Sequence, residues 1–200
     1  MDAASIEEHM LDAVSNEENT LIVIIKCHYS IDKILEVALN EVLPQADAIE
    51  LKRVSLLLKV DFLTALGGLN PQTRKLFEIA NSIRNKFAHD PFAQITESDT
   101  KKTHQALVNH SPPLVPKEFT KEESPPVILR TLFSVCFLQA AVAYENSCKK
   151  KIEYEVSTEM ARELTTASRV KKDRASIMNE FKIRCEALRS IKYPRVPPYL

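Results

Sequence analysis

The chain has 200 residues, 44% of them hydrophobic, enough to bury a core in one domain or in one domain with a helical appendage, and this excludes a chain disordered throughout. Two glycines in 200 residues are too few for the hairpin turns and bulges of a sheet protein, so the composition points to helices separated by proline-marked breaks. The formal charge is zero, which is not the balance of a dedicated nucleic-acid binder. Residues 1–50 nevertheless hold eleven acids against two bases, and residues 148–200 hold thirteen bases against seven acids. This asymmetry suits protein contacts, within or between subunits, or steering of a polyanion to the C-terminal part.

The first predicted helix runs from about 18 to 43. Leu21, Ile24, Ile25, His28, Ile31, Leu35, Ala38 and Leu39 recur there at three- and four-residue spacings, and Pro44 follows. A second helix is predicted from about 47 to 66, with Ile49, Val54, Leu57, Leu58 and Phe62 apolar and Gly67-Gly68 as its C-terminal stop. A third begins at Asn70-Pro71, an N-cap asparagine before a proline at the first helical position. Its apolar stripe is Leu76, Ala80, Ile83 and Phe87, and Pro91 ends it. A short helix is expected near 99–108.

Five of the eleven prolines then fall between Ser111 and Pro126, a stretch that cannot be helical throughout because proline lacks the amide hydrogen and restricts the residue before it. The expected organisation is a helical domain over 1–110, a proline-rich linker over 111–126, and C-terminal helices with an extended tail over 127–200. In that last part a buried helix is predicted from about 127 into the 148–155 region. A polar, basic helix is predicted from about 158 to 191, with apolar points at Leu164, Val170, Ile177, Phe181 and Leu188, a stripe sparse enough to need a partner or a second subunit. The longest apolar run, Thr131 to Ala143, is too short to span a bilayer and reads as a buried helix. The four cysteines are scattered without a C-x-x-C pair, and the acidic N-terminus carries no signal peptide, so reduced thiols in a cytoplasmic protein are expected. Cys27 and His28 are neighbours, but a metal site needs three or four converging ligands, and no metal or cofactor is assigned.

One stretch carries a chemical signature: Ser82-Ile83-Arg84-Asn85-Lys86-Phe87-Ala88-His89-Asp90-Pro91. Arg84-Asn85-x-x-x-His89 at the end of a helix resembles the motif of the HEPN (higher eukaryotes and prokaryotes nucleotide-binding) superfamily. Together with Phe62 to Leu69 and Leu76 to Pro91, it resembles the branch that includes the mannitol-operon repressor. The resemblance spans residues of about 18–95. It implies a HEPN-like helical bundle that dimerises with the motif at or near the interface. It further implies either a metal-independent endoribonuclease, in a toxin–antitoxin, stress or defence setting, or a domain kept for regulation or binding.

The residues themselves fit cleavage of RNA by its own 2′-hydroxyl, which needs a group to move protons and a cation to hold the phosphorane charge. His89 is the candidate for the first and Arg84 for the second. Asn85, one turn before His89, is placed to orient the imidazole or to bind phosphate. Five residues at 100° set Arg84 and His89 about 140° apart around an ideal helix, so one chain forms the site only if the last turn loosens. A site shared between two subunits is the other route. The bland alternative has Asn85 and His89 capping the helix and Arg84 pairing with Glu78 or Asp61. His28, on the apolar face, reads as a core histidine; His104 and His110 read as solvated; and Lys149 to Lys151 and Arg169 to Arg174 read as solvated faces. The expected partners are a second copy of the chain, RNA, and an antitoxin or regulatory protein, with no membrane. The runner-up function is a non-catalytic regulatory or scaffold protein working through its C-terminal helices. A DNA-binding repressor is third, for want of a helix-turn-helix.

Overall fold

The computed structural model describes residues 2–90, 92–110, 123–166 and 173–198. Among them every regular element is helical: α1 (Ala3–Ser15), α2 (Thr20–Val42), α3 (Leu56–Ala65), α4 (Arg74–His89), α5 (Glu97–His110), α6 (Pro125–Thr166) and α7 (Arg174–Lys192). The protein is all-α, as its glycine-poor composition predicts. Most of the proline-rich segment, the basic run 169–172 and the last two residues lie outside the described residues.

Local chemistry sets the boundaries. The side chain of Asn19 accepts the amides of Leu21 and Ile22 and starts α2. Ser55 accepts the amide of Leu58 and starts α3. The expected helix over 47–66 is therefore corrected: its first half is two single turns, Ala46–Ala48 and Leu51–Arg53, and only Leu56–Ala65 is α-helical. The stop at Gly67-Gly68 is observed. Gly67 takes φ 68°, the left-handed region, while the amides of Gly68 and Leu69 close on the Leu63 carbonyl. Asn70 caps the turn Pro71–Thr73, which leads directly into α4. Helix α1 occupies a segment where the sequence reading assigned none; its Ile6, Met10 and Ala13 are buried at i, i+4 and i+7.

The chain divides into two compact units, 1–144 and 145–200, and the division falls inside α6. In the first unit α2 packs against α1, α3 and α4, and α4 also packs against α3 and α5. Their core joins Ile24, Leu35 and Leu39 of α2, Val60 and Leu63 of α3, Leu76 and Phe77 of α4, and Leu132, Phe133 and Cys136 of α6. Fully burying each such aliphatic or aromatic side chain contributes about 1.5–3 kcal/mol. Arg130 of α6 donates to the carbonyls of Val14 and Glu17, two acceptors left over where α1 ends.

In the second unit the final turns of α6 and the length of α7 share a small core of Ile152, Val156, Met160 and Cys185, edged by Ile177, Phe181, Leu188 and Tyr193. Of the predicted stripe, Ile177, Phe181 and Leu188 thus find their partner in their own chain, while Leu164 is exposed on α6 and Val170 lies outside the described residues. The predicted break near 155–158 is absent, because α6 continues unbroken to Thr166. Helix α6 also holds an 18-residue window with a mean hydropathy of 1.7, apolar and long enough to cross a membrane by composition alone; half of that window is buried inside the protein.

All four cysteines are buried thiols outside any disulfide. Burial pushes the Cys27 thiol up to about 12 and the Cys185 thiol up to about 11, and raises that of Cys136 too, so these groups are neutral thiols at neutral pH.

Candidate functional site on the fourth helix

Helix α4 buries Leu76, Phe77, Ala80, Ile83 and Phe87 and so directs Asn81, Arg84 and Asn85 along the border between core and solvent. Arg84 is exposed, and its guanidinium folds sideways along the helix to donate to Asn85 Oδ1 at 3.1 Å. The acids assigned to Arg84 in the bland reading are engaged elsewhere. Arg74 takes Asp61 at 2.6 Å and also pairs with Glu78, while Lys75 holds the other Glu78 oxygen at 2.9 Å. Among the described residues no carboxylate pairs with Arg84.

His89 is the last residue of α4 and is exposed. The final turn is regular, with the Asp90 amide donating to the Lys86 carbonyl at 3.1 Å, so the helix does not loosen to bring His89 toward Arg84. The two stay about 140° apart around the axis. His89 makes no hydrogen bond among the described residues and does not cap the helix. It is Asp90 that shapes the exit, its side chain accepting the Phe92 amide at 2.9 Å. Lys86, on the opposite side from Arg84, pairs with Asp99 of α5 at 2.7 Å. Burial pushes the Asp99 carboxyl up, but the Lys86 hydrogen bond and the bonds from Thr96 outweigh it and hold the group below the usual range.

A residue the sequence reading placed in the core belongs to this neighbourhood. His28 of α2 is half-buried, with its Nε2 3.4 Å from Asn81 Oδ1. Burial pulls its imidazole below the ordinary value. The Asn81 bond and Asp32 act against that pull, while the charges of Arg84 and Lys59 add to it. One turn on, Asp32 receives Lys59 Nζ through both oxygens at 2.8 Å; Glu36, a further turn on, receives Lys59 at 3.4 Å and Lys33 at 3.0 Å. The Lys59 side chain is 0% exposed, among the largest of the fully buried side chains. Burial pushes the Glu36 carboxyl up, but its lysine partners more than offset this and leave it lowered. Histidine, aspartate and glutamate at i, i+4 and i+8 form one polar ladder down α2, and that spacing is the signal in the sequence that could have linked His28 to α4.

The remaining candidates separate from this site. His104 and His110 are half-buried rather than solvated, and His104 Nε2 is fully enclosed. Lys149, Lys150 and Lys151 are likewise half-buried, not an open solvated face. Among the described residues no group of three or more His, Cys, Asp or Glu side chains is placed to hold a metal ion. Comparison with known protein families, with curated proteins and with solved structures finds nothing that matches this chain.

Proposed function

We propose that this chain is a HEPN-like cytoplasmic protein that acts on RNA as a metal-independent endoribonuclease, in a toxin–antitoxin, stress or defence setting. The observation that carries this reading is the exposed Arg84, steadied by Asn85 while Arg74 occupies the nearby acids Asp61 and Glu78. An accessible guanidinium with no carboxylate partner among the described residues is suited to a phosphate whose charge grows in the transition state. His89, exposed at the helix C-terminus, is the proton carrier. Its direction away from Arg84 on an unbroken helix supports a working unit of two copies, with Arg84 and Asn85 of one acting opposite His89 of the other.

Expression of the wild type beside Arg84→Ala and His89→Ala tests this. The expected result is growth arrest with new RNA ends for the wild type and neither effect for two folded variants. Identical behaviour of all three, with no new RNA ends, would overturn the nuclease.

The divergence of Arg84 and His89 also favours a second reading, in which the chain is a regulatory or scaffold protein akin to the mannitol-repressor branch and works through protein contacts. A strictly monomeric chain in solution would select that reading, because the shared site needs two copies.

A further inference from the structure

The ionic network that links α2 and α3 closes on itself. Asp32 and Glu36 supply two negative charges and Lys59 and Lys33 two positive ones, all in contact. Arg84 is left near this network as a cation with no anion partner among the described residues. The amides around it are polarised in one direction. Asn81 Oδ1 lies against His28 Nε2 and Asn85 Oδ1 accepts from Arg84, so the acceptor oxygens of both asparagines are engaged, and among the described residues their NH2 groups donate to no partner. Arg84 is one turn from Asn81 and next to Asn85, so the cluster offers guanidinium and amide donors and hardly any acceptor. That set suits an oxyanion and disfavours a cation or a neutral donor.

We propose that His28 and Asn81 complete, with Arg84 and Asn85, a binding site for the phosphodiester of RNA, and that His28 takes up a proton as the phosphate binds. This deepens the RNA reading above and rests on it. His28 acts here as a positioning residue: it holds Asn81 Oδ1 and thereby turns the Asn81 amide donors to the ligand. The charged groups facing it are Arg84 from α4, Asp32 on its own helix and Lys59 from α3. Lys59 and Asp32 neutralise each other, so Arg84 is the uncompensated charge that His28 meets. A bound phosphate cancels that charge, which removes a cost of protonating the imidazole. By linkage, RNA then binds more tightly as pH falls.

The probe is a fluorescein-labelled single-stranded RNA decamer, followed by anisotropy on the full chain from about pH 7.5 to about pH 5.5. If binding raises the histidine's proton affinity by one pK unit, the wild-type Kd falls by up to about tenfold across that range. His28→Gln, which keeps an amide donor for Asn81, should flatten this dependence. Arg84→Ala should weaken binding at every pH and lower the salt slope by about one. A His28→Gln protein with the wild-type pH dependence, alongside a weakened Arg84→Ala, would overturn the role of His28 and leave the RNA reading standing. An Arg84→Ala protein that binds the decamer as well as wild type would overturn both. Ring-nitrogen NMR of the wild type provides a check that does not depend on folding of the variants: the decamer should move the His28 titration upward, and an unmoved titration with RNA bound would overturn the inference.

Discussion

The two units solve the problem of burial differently. The N-terminal unit, with 19 acids and 14 bases, has a continuous core fed by six helices and spends its most buried charge, Lys59, on a closed internal network. The C-terminal unit, with 8 acids and 13 bases, has a small core around Ile152, Val156, Met160 and Cys185 and places charges at its surface, in pairs such as Arg184 with Glu163 at 2.8 Å and Lys192 with Glu155 at 2.6 Å. Exposed pairs of this sort contribute little, since solvent screens them and long side chains lose freedom in forming them. The first unit should therefore set the main unfolding transition and the second should open at lower cost.

The largest effect that could break this contrast comes from Lys59→Met. Removing the buried ammonium leaves Asp32 and Glu36 close together without their shared partner, and a loss of about 3–5 kcal/mol is expected in urea unfolding. A change below about 1 kcal/mol would mean that water already screens the network. The same network sets a pH limit. The Glu36 carboxyl is lowered in the folded protein, so the stability it contributes is present above its ordinary value of 4.5 and is lost as pH falls through the lowered value. An acid midpoint in the wild type that moves up in Lys33→Met would show that contribution.

A smaller effect is expected from Ile152→Ala, about 2 kcal/mol, at the low end for such truncations because so thin a core collapses easily around the gap. Its signature should be local: Cys185 becomes reactive to a thiol reagent while Cys27 and Cys136 keep their wild-type rates. Equal acceleration of all three would show that the units unfold together. The smallest is Gly67→Ala, costing about 1 kcal/mol, since alanine is strained in the left-handed conformation that ends α3. It should weaken the first unit alone.

What was legible in the sequence follows the same contrast. Period and caps announced α2 and α4 because their apolar spacing is regular and Asn70-Pro71 and Pro91 mark one of them at both ends. Helix α1 was hidden because Ile6, Met10 and Ala13 form a narrow stripe in an acid-rich segment. The start of α3 was hidden because Ile49 and Val54 keep an apolar rhythm through turns that are not α-helical. Helix α6 was divided too early because its polar stretch after Cys148 looks like an end, although Ile152, Val156 and Met160 continue the stripe. Arg84, Asn85 and His89 could be named from their order. Their relation could not, because the acids that would have neutralised Arg84 were free to choose Arg74, and that choice is tertiary. His28 looked like a core residue for the same reason: nothing local reveals that Asn81, 53 positions away, will meet it.

The grip of Arg130 on Val14 and Glu17 bears on the order in which this protein can be made. Those carbonyls wait for a residue 113 to 116 positions later in the chain. At a synthesis rate of 5–20 residues per second the interval is on the order of ten seconds. Throughout it, the apolar faces of α1 and α2 exist without the helix that covers them. For a nascent chain this is the interval in which a chaperone or a neighbouring copy competes for those faces. Arg130→Met should therefore reduce the soluble yield from cells more than it lowers the unfolding midpoint of the protein that does fold.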